Sequence, residues 1–382
     1  MRKFFISNWQ GKTILAVTEN QKTVEIIVCN KKIGKLGNIY KGIVKKSKEA
    51  MDTYFVQIGQ NEDGFLLAKD CLVERLEHGE EIVVQVVKER SRFKSAKLTM
   101  KLSFPGVFLV YSPFADYVAA SKKMSNNERD KWISFAENQK RGHEGFIIRT
   151  AASDSTLEEV ERELKHLRQT SSRLLWESNH LHAPTLLHEG FDCIEQAFHN
   201  YISSGIDEVV TDDKDEYEKI KTLVEKIDND HSSIVTFQTN LPINVENEIQ
   251  LALKKVVWLP DGSYLLIEET ESMTMIDVNS GKSRSGVMEI NKQAAIEAMR
   301  QLRLRNLGGM IVIDFLRMKK EDEQLILQEV QRASSADRKT VKIFGFTRMG
   351  LFELTRKKIG GTLKENLEPA TAAQIDNQFG SW

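Results

Sequence analysis

Two short apolar runs in the C-terminal third each end on a single aspartate: Met273-Thr274-Met275-Ile276-Asp277 and Met310-Ile311-Val312-Ile313-Asp314. Runs this short, with β-branched residues, predict buried strands. Charge is excluded from such runs, so an Asp at the end of one belongs at a sheet edge facing solvent or a ligand. Asn279 follows Asp277 by two positions, and on an extended chain the two side chains point the same way. The first run leads into Asn279-Ser280-Gly281-Lys282-Ser283-Arg284-Ser285-Gly286, and the second follows Arg300, Arg303 and Arg305. Paired carboxylates with an amide oxygen and nearby arginines suit a divalent cation acting on a phosphate. Singly, each Asp could equally cap a turn or the following helix. Two such strand ends in one region bring the chemical reading level with the structural one.

Other groups could handle phosphate. Gly281-Lys282-Ser283 ends like a phosphate-binding loop, but the full pattern needs Gly where Ile276 stands, and Arg284-Ser285-Gly286 delays the helix, so a nucleotide P-loop is excluded. Residues 289–306 read as a helix terminated by Gly308-Gly309. Its C-terminal arginines suit the helix dipole in any case, and part of the cluster remains for an RNA or DNA backbone. Arg149-Thr150 ends the strand Phe146-Ile147-Ile148, and Arg348 ends Phe344-Gly345-Phe346-Thr347. An arginine fork beside a hydroxyl can bind a terminal phosphate, although salt bridges account for most such arginines. His180, His182 and His188 lack the H-E-x-x-H spacing of a zinc site, and no G-x-S-x-G or Cys/His nucleophile signature occurs.

These residues need elements to hold them. A chain of 382 residues can form two to four domains. With 41% apolar and 29% charged residues it has the composition of a soluble globular protein. A net charge of −1 gives no global basic field for nucleic acid, leaving local clefts. No apolar run reaches the length of a membrane span. Met1-Arg2-Lys3-Phe4-Phe5-Ile6 could open a signal peptide, but Asn8, Trp9, Gln10 and Lys12 interrupt it, so a first strand is expected. Cys29, Cys71 and Cys193 are widely separated and form no C-x-x-C, which speaks against a zinc cluster or redox pair. Free thiols without an export signal place the chain in the cytoplasm.

Residues 1–36 read as short strands with turns. Five more strands follow between residues 37 and 103, which suggests a small barrel of the OB type. Tyr40, Phe55 and Phe65 fall on its strands among Lys41, Lys45 and Lys46. Aromatic faces beside lysines can stack bases and track a sugar-phosphate backbone, or the aromatics can fill the barrel. Two strands enclose a polar helical stretch between residues 106 and 150, and an amphipathic helix spans residues 155–180. Helices near Asp192–Ser203, Lys214–Ile227 and Val245–Leu253 and a strand at Glu208–Thr211 follow. From Tyr264 strand and helix alternate, as in an α/β layer.

The run Arg300-Gln301-Leu302-Arg303-Leu304-Arg305-Asn306-Leu307-Gly308-Gly309-Met310-Ile311-Val312-Ile313-Asp314-Phe315 resembles the catalytic half of the RNase E/G family of bacterial endoribonucleases. Ile276-Asp277-Val278-Asn279-Ser280 resembles the family's other metal-site motif. Asn38-Ile39-Tyr40-Lys41-Gly42 and Gly64-Phe65-Leu66 resemble its OB-fold RNA-binding subdomain, and Gly145-Phe146-Ile147-Ile148-Arg149-Thr150 its 5′-sensor strand. Arg348-Met349-Gly350-Leu351 with Glu353 and Thr355-Arg356 resembles the stretch after the second aspartate.

The resemblance implies a mixed α/β and β multidomain fold. An RNase H-like subdomain (residues 1–36 and 189–255) is interrupted by an S1-type OB-fold barrel (37–104) and a 5′-sensor (105–188). A DNase I-like α/β catalytic subdomain (256–382) closes the chain. Asp277 and Asp314 would hold Mg²⁺, with Mn²⁺ as an alternative, and Asn279 would orient the site. Arg149, Thr150 and Arg348 would grip a 5′-monophosphate, and Phe55 and Phe65 would stack or channel single-stranded RNA. Tyr40, Lys41, Arg300, Arg303 and Arg305 complete the expected RNA-binding set. The family's C-P-x-C after the catalytic subdomain has no counterpart behind Ile359-Gly360-Gly361-Thr362-Leu363, so zinc and a zinc-linked dimer are not expected. A homodimer through the catalytic subdomain stays open. The expected function is Mg²⁺-dependent cleavage of single-stranded, A/U-rich RNA to 5′-phosphate and 3′-hydroxyl ends. Its rivals are a non-catalytic RNA-binding protein on the same scaffold and, more weakly, a DNase or phosphatase with the same carboxylates.

Overall fold

The computed structural model describes residues 1–29, 36–48, 52–59, 62–90, 95–122, 124–190, 193–201, 205–227 and 234–368. The chain forms two compact units, Met1–Asn30 with Ile206–Trp382, and Lys31–Gly205. The first unit opens with an antiparallel meander, β1 (Arg2–Trp9), β2 (Lys12–Glu19) and β3 (Lys22–Cys29). Its two-residue turns, Gln10-Gly11 and Asn20-Gln21, place all four residues at positive φ. That geometry matches the right-handed twist of the flanking strands.

The second unit carries a closed barrel of β4 (Ile39–Lys48), β5 (Thr53–Gly59), β6 (Glu62–Leu67), β7 (Glu81–Lys88) and β8 (Ala96–Thr99). The strands run in the order β4-β5-β6-β8-β7, and β7 pairs back onto β4. Closure removes the free edges, as in OB-type barrels. Val44, Val56, Ile58, Leu66, Val84 and Leu98 fill the interior. A second sheet follows, with β9 (Phe104–Pro105), β10 (Leu109–Ser112), β11 (Val118–Ala120) and β12 (Gly145–Ile148) in the order β11-β12-β10-β9. α1 (Asn126–Gln139) and α2 (Leu157–Ser178) start on capping boxes, Ser125 with Glu128 and Thr156 with Glu159. Their apolar faces pack Trp132, Val160 and Leu164 with Leu109, Tyr111, Phe146 and Ile148. β13 (Thr185–His188) adds to β4, and α3 (Cys193–Tyr201) ends the unit.

Back in the first unit, β14 (Glu208–Thr211) pairs parallel to β1 and, across α4 (Lys214–Ile227), β15 (Val235–Phe237) pairs parallel to β14. α5 (Val245–Leu253) leads to the last sheet, whose strands are β16 (Val256–Trp258), β17 (Tyr264–Glu269), β18 (Met273–Asn279), β19 (Gly309–Asp314), β20 (Val341–Phe346) and β21 (Phe352–Arg356). Their order is β16-β17-β18-β19-β21-β20. The parallel pair β18–β19 is joined by a crossover helix, α6 (Val287–Leu304), as parallel pairing requires. α7 (Lys320–Ser334) and α8 (Leu363–Leu367) complete the unit. Ile276, Val278, Ile311 and Ile313 pack against Ala294, Ala298, Leu302, Ile326 and Val330.

The mixed α/β architecture and the OB-type barrel agree with expectation. The end of α6 does not. Asn306, at φ 54, turns the chain rather than Gly308-Gly309. Leu307 N–H bonds to Leu302 O at 2.9 Å and Asn306 N–H to Arg303 O at 3.1 Å, which is a Schellman closure with Asn at its left-handed position. The cysteine reading is also corrected: Cys71 is a free thiol, but Cys29 and Cys193 are each disulfide-bonded, so the cysteines do not support a reduced compartment. Among the described residues no helix is long and apolar enough to cross a membrane. The stretch after Glu368, where no zinc link is expected, lies outside the described residues.

A buried ion pair fastens the last sheet to its helices. Arg356, at the end of β21, bonds Asp337 through Nε at 2.6 Å and Nη2 at 3.1 Å, and its Nη1 donates to Leu307 O at 2.8 Å. The two side chains are 3% and 2% exposed. Asp337→Ala leaves a buried guanidinium without its counter-charge and is expected to cost about 3–5 kcal/mol, read from the urea midpoint. A loss below about 1 kcal/mol would show that the pair behaves like a surface one.

Candidate active site

β18 and β19 run parallel in a register that makes Asp277 and Asp314 direct partners. Strand alternation explains their common face. Ile276 and Val278, like Ile311 and Ile313, are buried against the helices, so Asp277, Asn279 and Asp314 emerge on the opposite side. All three are half-buried. Asn279 Nδ2 donates to Asp277 Oδ2 at 2.8 Å, which leaves the amide oxygen and the other carboxylate oxygen open. No hydrogen bond or ion pair among the described residues engages the Asp314 carboxylate. The donor set is hard oxygen throughout. Among the described residues no cluster of three or more His, Cys, Asp or Glu side chains could hold a metal. Two carboxylates and an amide suit Mg²⁺, which keeps waters and takes phosphate oxygens to complete its shell.

The arginines leading to β19 are not part of this face. Arg300 pairs with Glu297 at 2.6 Å and donates to Thr23 O. Arg303 lies 3.5 Å from Glu19 and donates to Ala336 O at 3.2 Å. Arg305 is 5% exposed, bonded to Gln301 at 2.6 Å, and burial pulls its pKa down to about 10. Arg300 and Arg303 thus reach across to Thr23, Glu19 and Ala336, while Arg305 is bonded within α6.

The barrel divides its expected set in two. Tyr40 is 4% exposed, packs in the barrel core and accepts a hydrogen bond from Asn38, so no face is left to stack a base. Lys41 is held by Glu81 at 2.7 Å and by Leu181 O at 2.8 Å. Phe55 and Phe65 are half-buried register partners, flanked by Lys46 on β4 and Lys97 on β8. The four side chains form a row across the barrel's outer surface, as a base-stacking platform requires.

Arg149 follows β12. Its Nη1 donates to Gly106 O at 2.7 Å and its N–H to Phe108 O at 2.7 Å; burial lowers its pKa. Thr150 Oγ1 donates to Ser121 Oγ at 2.9 Å. Arg348 belongs to the other unit, exposed in the β20–β21 turn that Thr347 Oγ1 closes. A residue that the sequence did not signal shapes the loop at Arg149. Glu163 on α2 accepts from the N–H groups of Val107, Phe108 and Leu109 at 2.5, 2.9 and 3.1 Å. Burial nevertheless raises its pKa.

Comparison with known proteins decides the lineage. The sequence matches the ribonuclease E/G family over residues 103–359. It is 31% identical over 357 residues to ribonuclease G of Salmonella typhimurium, covering 85% of this chain and 73% of that one. Against ribonuclease G of Haemophilus influenzae it is 31% identical over 390 residues, covering 94% and 79%. Ribonuclease E of a Nostoc species is 31% identical over 385 residues, and there the match covers 92% of this chain and 55% of the relative.

The chain belongs to the ribonuclease E/G family. The family match takes in both carboxylate strands and the Arg149–Glu163 region. In this ribonuclease E/G chain a Cβ on Gly106 would lie 2.4–2.6 Å from the Glu163 carboxylate, which three N–H groups hold in place. Gly106→Ala must therefore displace that carboxylate and orphan its donors, with an expected loss of about 1–3 kcal/mol in thermal unfolding. An unchanged melting temperature would show that Glu163 shifts freely.

Proposed function

We propose that this chain is a Mg²⁺-dependent endoribonuclease that cuts single-stranded, A/U-rich RNA in transcript processing and decay. Family membership makes it an endoribonuclease; the in-register pairing of Asp277 with Asp314 is the observation that carries the metal-dependent mechanism. When bound there, Mg²⁺ would lower the pKa of a water and offset charge on the phosphoryl oxygens. The chain supplies the rest. Asp277 and Asp314 would hold the cation from adjacent strands. Asn279 fixes one Asp277 oxygen through its N–H, so that the remaining carboxylate lone pairs face outward. Attack in line by a water oxygen on phosphorus, with departure of the 3′-oxygen, would leave 5′-phosphate and 3′-hydroxyl ends.

The remaining roles follow the same reading. Phe55 and Phe65 would stack unpaired bases, with Lys46 and Lys97 beside the backbone. Arg149 and Thr150 would take a 5′-monophosphate and favour RNA carrying one. The barrel would be the S1-type module, β9–β12 with α1 and α2 the 5′-sensor, the β1 sheet the RNase H-like part, and the last sheet the DNase I-like part. A second copy would dock through that last part.

Asp277→Asn or Asp314→Asn is expected to lower cleavage of an unstructured RNA about 100-fold or more while its affinity stays near that of the parent. Full cleavage by both variants would end the assignment, and binding without cleavage by the parent under Mg²⁺ and Mn²⁺ would favour a non-catalytic RNA-binding protein. For the sensor, 5′-monophosphorylated RNA should be cut faster than its 5′-triphosphate counterpart, and Arg149→Ala should erase the difference. Equal rates in the parent would remove that role.

A further inference from the structure

The run Gly281-Lys282-Ser283-Arg284-Ser285-Gly286, which fits no nucleotide loop, leaves β18 just past Asn279. A carboxylate from the neighbouring turn holds it. Asp261, between β16 and β17, accepts from Ser263 N–H at 3.0 Å and Ser263 Oγ at 2.5 Å through Oδ1, and from Ser283 Oγ at 2.7 Å through Oδ2. Ser283 Oγ accepts in turn from Ser285 N–H at 3.0 Å. The backbones are joined as well: Lys282 N–H donates to Gly262 O at 3.1 Å. Gly281, at φ 53, permits this approach, since a Cβ there would lie 2.5 Å from Gly262 O. Burial raises the Asp261 pKa, but the serine hydrogen bonds outweigh it and bring it to about 2. The staple is therefore charged at any working pH, and its contribution to stability is lost only in acid, as pH falls toward that value.

The stapled loop presents two cations. Lys282 and Arg284 are exposed, and among the described residues neither side chain makes a hydrogen bond or ion pair. The one carboxylate within the loop network, Asp261, is already satisfied by hydroxyl and amide donors. Two free cations on an ordered loop, a few residues from a carboxylate pair, form an anion-binding surface that loses little conformational entropy when occupied.

We propose that residues 280–286 form a clamp for an RNA phosphodiester next to the one acted on at Asp277 and Asp314, with Asp261 as the positioning residue that holds Lys282 and Arg284 in place. The proposal rests on the ribonuclease reading and adds to it the residues that grip the backbone beside the cut.

The test is binding rather than cleavage. A short unstructured RNA is titrated with the full chain in EDTA, from about 50 to 200 mM salt. Lys282→Ala with Arg284→Ala should flatten the slope of log affinity against log salt by about 1.4, at about 0.7 per single-strand contact. Asp261→Ala gives the sharper readout because its sign is diagnostic. Removing a negative charge would by itself tighten an RNA complex, whereas loss of the staple should weaken it about tenfold. Asp261→Asn, which keeps the shape, should weaken it less. In the Lys282→Ala/Arg284→Ala background Asp261→Ala should no longer weaken binding. Tighter or unchanged binding by folded Asp261→Ala and Asp261→Asn overturns the clamp. A parent chain that does not bind RNA overturns the ribonuclease reading itself.

Discussion

Two acidic side chains on directly paired residues are the constraint around which the last sheet is built. Adjacent strands lie about 4.8 Å apart, so the two carboxylates leave neighbouring strands on one face. Asp277 and Asp314 hold this arrangement because parallel register leaves them no choice. The apolar residues on either side of each Asp are locked into the helix-facing core, so a slip of one residue would bury a carboxylate and expose an isoleucine. Register is thus enforced by hydrophobic burial.

The rest of the unit maintains that register. The crossover from β18 to β19 is fixed at one end by the serine–aspartate staple and at the other by the Schellman closure of α6 at Asn306. The Asn306 side chain donates to Ile359 O and Gly361 O at 3.0 and 2.7 Å. The Arg356–Asp337 pair fastens the start of β19 from the far side through Leu307 O. Each device satisfies backbone groups that a loop would otherwise leave exposed. In the other unit Glu163 does the same by collecting three consecutive N–H groups beside Arg149.

Much of this was readable from residue order. The carboxylate strands, the barrel and the helices at Lys214–Ile227 and Val245–Leu253 follow from periodicity, because short-range alternation and helical spacing are written along the chain. Contacts between distant residues are not. Asp261 reaches Ser283 across 22 positions and Glu163 reaches Val107 across 56, and no local pattern announces either. The surroundings of the expected RNA-binding residues were hidden for a related reason. Tyr40 and Lys41 are neighbours on one strand and so face opposite sides of it; alternation alone placed one of them inside. The partners of Arg300, Arg303 and Arg305, Thr23, Glu19 and Gln301 among them, are assigned only by the fold or by helical geometry.

The most direct test of the central claim is a Mn²⁺ titration followed by electron paramagnetic resonance on the folded chain without RNA. The account predicts a cation site in the wild type whose affinity falls about 10- to 100-fold in Asp277→Asn and again in Asp314→Asn, each variant retaining the wild-type melting profile. Mn²⁺ binding that is the same in the wild type and both variants would contradict it, because the paired carboxylates would then not be holding the ion.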